Sequence, residues 1–275
     1  MRLFFILSIA SVFITGIQSN AQKNPSSESF IAASTDSAGM IYFNKARSIS
    51  QICGEEWFPS ASELQWDQEL AKAAADHAND LIRNSIRGHV GSDGSRVRDR
   101  VNKYTRDFGS LGEIISYGRN ETCGSVPVFL RSKGHCRLLM NPKFSHLGIA
   151  TIPSQSGKRG MVIVKLGRKY GSPPIQEGAF MEFDELKNKK ITLYHDGWNC
   201  HARNLGIDFS NYGMDHEVFI TSTRPNEFKR RTEQWGYKTE EVPPFIVEID
   251  GILYTGDFFN IQELIDHIKS TGQKQ

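Results

Sequence analysis

The sequence contains no Cys-x-x-Cys pair. Its four cysteines, Cys53, Cys123, Cys136 and Cys200, stand well apart, so a structural zinc ribbon is excluded. A strong excess of one charge is also missing: 33 basic residues face 31 acidic ones, and nothing marks a nucleic-acid-binding chain. After the first residues no apolar run is long enough to cross a bilayer. No serine or cysteine stands out as an activated nucleophile, which weakens any reading as a hydrolase.

What is present begins with the N-terminus. Arg2 precedes an apolar run from Leu3 to Ile17, and Ser19-Asn20-Ala21 supplies a small-x-small cleavage site. Residues 1–21 therefore read as a cleaved secretory signal peptide. There is no cysteine at the cleavage point for a lipid anchor. The mature chain is expected to be soluble, with no transmembrane segment, and secreted or periplasmic. In an oxidising compartment four cysteines allow two disulfides in three connectivities. Residues 22–39, rich in Ser, Thr, Ala and Asn, read as a flexible spacer.

Charge divides the remainder. Residues 40–168 carry 19 Lys and Arg against 12 Asp and Glu, and residues 169–275 carry 12 against 17. That asymmetry, with Gly171-Ser-Pro-Pro174, places a domain boundary near 168 and a linker over 169–189. The basic half suits an anionic surface such as cell wall or lipid headgroups, or the two halves attract one another.

In the first half, Met40, Phe43 and Ile49 suit an amphipathic helix, and a loop is expected from Cys53-Gly54 to Pro59. The longest helix is expected from about Asp67 to Asn84, with Leu70, Ala74, His77 and Leu81 on one face. His77 reads as a core-facing histidine. A turn-rich loop carries His89, and a helical stretch follows from Arg96 to Tyr104. Residues 111–118 are β-prone, with Glu113 near their start. Ser125 and Pro127 are expected to open a helix that runs into a turn at Gly134, where His135 is presented. His135 is a metal ligand, a general base or a hydrogen-bonded scaffold residue. Residues 147–152 and 160–167 read as antiparallel strands. The last 85 residues read β-α-β-α-β-β-α, ending in a helix that Asn260 caps with Glu263 three residues on.

Residues 40–168 resemble the CAP superfamily (cysteine-rich secretory, antigen 5 and pathogenesis-related 1 proteins) in its bacterial branch. The resemblance rests on Leu64-Gln-Trp66-Asp67, Ala74-Ala-Asp-His77-Ala78, His89 with Ser92-Asp93-Gly94-Ser95, Gly112-Glu113-Ile-Ile115, Gly134-His135-Cys136 and Met140-Asn141-Pro142. It implies an α/β fold of CAP type, an α-β-α sandwich with a central cleft lined by His89, Glu113 and His135. In some members the histidines bind a divalent metal, so His89 and His135 are the metal candidates, with zinc the natural ion. It also implies a Cys53–Cys136 disulfide, with Cys123–Cys136 as the rival. This chain departs from the family where Gly-Glu-Asn-Ile becomes Gly112-Glu-Ile-Ile115, where Ser-Pro-Gly-His becomes Ser132-Lys-Gly-His135, and in lacking an evident second cleft glutamate.

Residues 190–275 resemble a glutaredoxin, and so imply a C-terminal thioredoxin fold. The carriers are the element order, Tyr194, Glu241-Val242-Pro243, Ile249-Asp250-Gly251 and Tyr254-Thr-Gly256. The likeness implies a cis bond at Val242–Pro243. The redox motif is degraded: Asn199 and Ala202 fall at the cysteine positions, and Cys200 lies one place after the first. Cys200 is then either a lone redox thiol at a helix N-terminus, working with glutathione, or a non-catalytic cysteine paired with Cys123.

The expected function is an exported protein that binds a small ligand, an envelope component or a divalent metal in its CAP cleft, with a degenerate glutaredoxin-like domain. The rival readings are a thiol oxidoreductase using Cys200 and a metal-dependent CAP hydrolase using His89, Glu113 and His135.

Overall fold

The computed structural model describes residues 32–118, 121–154, 160–176, 178–238 and 241–272. The expected leader at 1–21 and the spacer up to residue 31 lie outside them. In chain order the elements are β1 (Ser34–Thr35), α1 (Met40–Arg47), β2 (Gln51–Cys53), β3 (Glu56–Phe58), β4 (Gln65–Trp66), α2 (Gln68–Arg83), α3 (Val97–Val101), β5 (Phe108–Tyr117), α4 (Thr122–Arg131), α5 (Lys133–Leu139), β6 (His146–Ile152) and β7 (Met161–Lys169). A 3-10 turn at Asp184–Leu186 follows, then β8 (Ile191–His195), α6 (Cys200–Asn211), β9 (His216–Ile220), α7 (Pro225–Gln234), β10 (Phe245–Ile249), β11 (Ile252–Tyr254) and α8 (Ile261–Gly272).

The first sheet runs in the order β1-β6-β7-β5, with β4 alongside β6. Both of its faces are covered, which is why its strands read as continuous apolar runs. On one face Ala74, Ala78 and Leu81 of α2 pack against Ile115, Ala150 and Ile163. On the other, α1, α4 and α5 bring Phe43, Phe129 and Leu139 onto Ile114, Ile149 and Val164. This is the α-β-α layering expected of residues 40–168. Asp67 starts α2 by accepting hydrogen bonds from the Glu69 and Leu70 amides, each at 3.0 Å, a side-chain N-cap. Across the sheet, Gly148, Lys165 and Glu113 stand in one row over three strands. A Cβ on Gly148 would sit 2.1 Å from the Ala71 nitrogen, so the absent side chain is what lets α2 close over that row.

Three local expectations are corrected. The loop after Cys53 is a hairpin, β2 with β3, turning at Gly54 with φ +77°, a conformation glycine adopts without steric cost. Pro127 lies inside α4 rather than at its start. The helix begins earlier, where Ser125 Oγ donates to the Thr122 carbonyl at 2.7 Å. Gly134 forms no turn. The break falls at Ser132, whose extended backbone (φ −95°, ψ 112°) separates α4 from α5, and Gly134 and His135 lie within α5.

The second sheet runs β11-β10-β8-β9, with β8 and β9 parallel and β10 antiparallel to both its neighbours. The expected element order is present, and Asn260 Oδ1 accepts from the Glu263 amide at 3.0 Å. Val242–Pro243 is trans, since no cis peptide bond occurs among the described residues.

The described residues belong to one compact unit, and the two halves share apolar core: Ile207 and Phe259 join the first-half cluster, and Ile49 joins the second. Gln51 Nε2 donates to Asp208 Oδ1 at 3.3 Å, and the Ile261 amide donates to Asp208 Oδ2 at 3.1 Å. Asp208 is fully buried, and burial pushes its carboxyl up to about 8. The folded chain therefore holds a proton there that the unfolded chain, at the ordinary value near 3.8, releases. The group's stabilising contribution is complete below about pH 4 and is lost as pH rises through about 8. Asp208→Asn should remove that loss, leaving the variant more stable than wild type at pH 8, by up to about 5 kcal/mol, and nearly equal at pH 4, as read by urea unfolding.

Candidate functional site

Glu113 on β5 points to the α2 face and is buried. His89 Nδ1–H donates to its Oε1 at 2.8 Å. Arg100 Nη2 of α3 reaches Oε2 at 3.1 Å, and Lys165 Nζ of β7, its cross-strand neighbour, donates to the same oxygen. His77 of α2 lies 3.6 Å from Oε1 and hydrogen-bonds the Gly88 carbonyl at 3.0 Å.

Second contacts make the arrangement rigid. Arg100 Nη2 donates to the His89 carbonyl at 2.9 Å and its Nη1 to the Ser95 carbonyl at 2.6 Å. Asp80 accepts from the Ser92 amide at 2.8 Å, and the Gly88 amide donates to the Tyr117 hydroxyl at 2.8 Å. The His89 loop is thus tied to α2, α3 and β5. His89 itself stays 57% exposed at the side chain, above a carboxylate that is 3% exposed.

Electrostatics follow burial and neighbours. Burial pushes the Glu113 carboxyl up, but the His89 hydrogen bond and the Lys165 charge more than offset this and hold it at about 2. Lys165 is lowered to about 8, because burial outweighs the pull of Glu113. Both values fall, but the charged form is favoured only for the carboxylate, which has several donors; for the ammonium, burial and the Arg100 charge outweigh the pull of Glu113 and Asp76. Burial lowers His77 to about 4, so it is neutral near pH 7. His135 is also lowered, by burial first and then by His89.

The structure therefore joins His89 to Glu113 but leaves His135 outside their hydrogen bonds. His135 sits on α5 and packs edge-on against Phe129, with ring centroids 5.4 Å apart. The charge around Glu113 does not favour it as a third ligand beside the expected pair His89 and His135. Glu113 already faces two buried cations, which opposes a third. Among the described residues, the group of three or more metal-type ligand atoms within 4.8 Å of one another is Cys123, Cys200 and His201, not His89, Glu113 and His135. His89, Glu113 and His135 do not form such a group of three.

Sequence reasoning missed Arg100 and Lys165 as partners of Glu113. The signal for Lys165 was a lysine inside the apolar strand Met161-Val-Ile-Val-Lys-Leu166, where a buried charge implies a counter-charge. His77 is core-facing, as expected, at 0% exposure.

All four cysteines are paired. Cys53 joins Cys136 with Cα atoms 5.3 Å apart, the pairing that the CAP resemblance implies. Cys123 joins Cys200 with Cα atoms 5.8 Å apart, and no cysteine is free. This corrects the reading of Cys200 as a lone redox thiol: α4 and α6 pack together and bring Cys123 onto it. Cys200, His201 and Pro243 line a cleft of about 490 Å³.

Residues 59–166 match the model of the cysteine-rich secretory protein family, CAP. An uncharacterized membrane protein of Bacillus subtilis, YlbC, is 33% identical over 88 residues, which make up 32% of this chain and 25% of that one. An uncharacterized protein of the same organism, YkwD, is 22% identical over 139 residues, 50% of this chain and 54% of that one. The chain thus spans from a quarter to about half the length of these curated relatives. Among solved structures, an outer surface protein from Borrelia burgdorferi aligns with a TM-score of 0.39 at 19% identity, covering 50% of this chain and 99% of that one. An extracellular SCP-domain protein from Bacillus anthracis aligns with a TM-score of 0.34 at 26% identity, covering 40% of this chain and 35% of that one. No helix among the described residues is long and apolar enough to cross a membrane.

Proposed function

We propose that this chain is an exported binding protein whose CAP half, taken as residues 40–168, holds a carboxylate- or phosphate-bearing envelope component at His89. One observation carries the reading: beneath a half-exposed imidazole lies one carboxylate met by two buried cations, Arg100 and Lys165. That cluster is net positive and low in dielectric, so it favours an acidic ligand over a metal cation. His89 Nδ1 is held by Glu113, which leaves the outer nitrogen to share a proton with an acidic group. Export is supported by two disulfides, which persist in oxidising compartments.

Residues 190–275 are read as a glutaredoxin-like thioredoxin fold without its dithiol, joined through a 169–189 linker. The strand order β11-β10-β8-β9, with α6 starting at Cys200, supports this. The pairing of Cys200 argues against a resting thiol oxidoreductase that works with glutathione.

The test is cosedimentation of the mature chain with washed cell-wall sacculi and with phosphatidylglycerol vesicles, each with and without inorganic phosphate. His89→Ala should weaken binding about tenfold, the worth of one hydrogen bond to a charged group, at a temperature where its circular dichroism matches that of the wild type. Unaltered binding by that variant would retire the reading. Stoichiometric zinc in the wild type that disappears in the His89→Ala/His135→Ala double variant would replace it with the metal reading.

A further inference from the structure

We propose that Cys123, Cys200 and His201 form a reduction-gated metal site, closed as a disulfide in the oxidised chain and taking Zn²⁺ through two thiolates and one imidazole once reduced. The site is separate from the His89 cluster and does not depend on what that cluster binds.

The geometry carries this. The two sulfurs and an imidazole nitrogen lie within 4.8 Å of one another. Cysteine thiolate and histidine are the donors that Zn²⁺ prefers, and in tetrahedral coordination two thiolates at 2.3 Å from the metal stand about 3.8 Å apart. Cα atoms separated by 5.8 Å accommodate that spacing by side-chain rotation. Nδ1 of His201 pairs with Asp257, so Nε2 is the nitrogen that would ligate, and a carboxylate behind a ligating histidine is the usual second partner in zinc sites. Three protein ligands leave one coordination position for water.

The sulfurs are placed to become thiolates. Cys200 is the first residue of α6 and Cys123 the second of α4, so each sits at a helix N-terminus, where backbone N–H groups stabilise a negative sulfur. Both ends of the bond reach solvent-filled space: Cys200 and His201 line the 490 Å³ cleft, and Cys123 lines a second of about 390 Å³ with Tyr42 and Thr122. The other disulfide offers no such access, because Cys53 and Cys136 are both fully buried.

The chemistry balances with an external dithiol. Its thiolate attacks Cys200 Sγ from the cleft, the S–S bond breaks, and Cys123 leaves as a thiolate. The second thiol of the reductant then displaces Cys200 and closes the reductant into its own disulfide. The protein gains two electrons and two protons as two thiols, and Zn²⁺ binding releases those protons to solvent.

The full mature chain decides the matter. It is treated with dithiothreitol, desalted without oxygen, and equilibrated with Zn²⁺, with Co²⁺ as the spectroscopic reporter. About one zinc per chain is expected after reduction and almost none before, with thiolate-to-cobalt charge-transfer absorption only in the reduced sample. His201→Gln keeps the disulfide and should weaken zinc binding at least tenfold after reduction, and Cys200→Ser should abolish the cobalt band. The proposal is overturned if the reduced wild type takes up no more zinc than the oxidised chain, or if both variants bind as the wild type does. A reduced chain that loses its circular dichroism and does not regain it with zinc overturns it as well.

Discussion

Glu113→Gln is expected to destabilise the chain by about 3–5 kcal/mol, the cost of removing one partner from a buried ion cluster. Lys165 is 0% exposed and Arg100 3%, and without the carboxylate both buried charges lose their closest counter-ion. Lys165, already lowered to about 8 by burial, would be driven further down and lose its proton at neutral pH. The damage should be mutual. Glu113→Gln combined with Lys165→Met should cost less than the two single changes added, because the double variant removes both members of the closest pair.

The acid limb gives the same group a signature. Glu113 is held at about 2 when folded, against an ordinary value of 4.5. A carboxyl depressed by folding stabilises above its unfolded value, and that contribution disappears as pH falls through the folded one. Thermal melts between pH 5 and pH 2 should fall steeply in the wild type and more gently in Glu113→Gln. Equal slopes would mean that the carboxylate is not the group that folding depresses.

Loss of the Cys53–Cys136 bond should be comparably large. The two residues are 83 apart in sequence, and closing a loop of that length removes about 4.5 kcal/mol of unfolded-state entropy in the chain-entropy model. Cys53→Ala/Cys136→Ala should therefore lower the urea midpoint sharply. The m-value should also rise, since the released unfolded chain exposes more surface. The second bond spans 77 residues and its loop overlaps the first, so removing both should cost less than the sum. A double variant within 1 kcal/mol of wild type would show that the crosslink constrains a denatured state that is already compact.

The elements legible from sequence share a short physical range. The face made by Leu70, Ala74, His77 and Leu81, with Asp67 ahead of it, is a pattern of periodicity and capping that acts within a turn or two. The same holds for the strands at 147–152 and 160–167, for the β-α-β-α-β-β-α order of the last 85 residues, and for the cap at Asn260. His89 and Glu113 were legible through resemblance, as was the Cys53–Cys136 pairing. Local reading failed where packing overrode it. Pro127 suggested a helix start, yet α4 begins at Thr122. The glutaredoxin resemblance, not local reading, implied a cis bond at Val242–Pro243, and that bond is trans.

Sequence by itself thus determined which segments form helices and strands, which residues are capable of chemistry, and that the chain divides in charge near residue 168. Only the tertiary structure decided what those residues meet. Glu113 finds Lys165 because β5 and β7 are paired, and it finds Arg100 because α3 folds back over the strand. Cys200 finds Cys123 because α6 docks on α4. The physical reason is one of range: periodicity and capping are set by neighbours along the chain, whereas the lysine facing Glu113, or the partner of a thiol, comes from a segment 50 or more residues away.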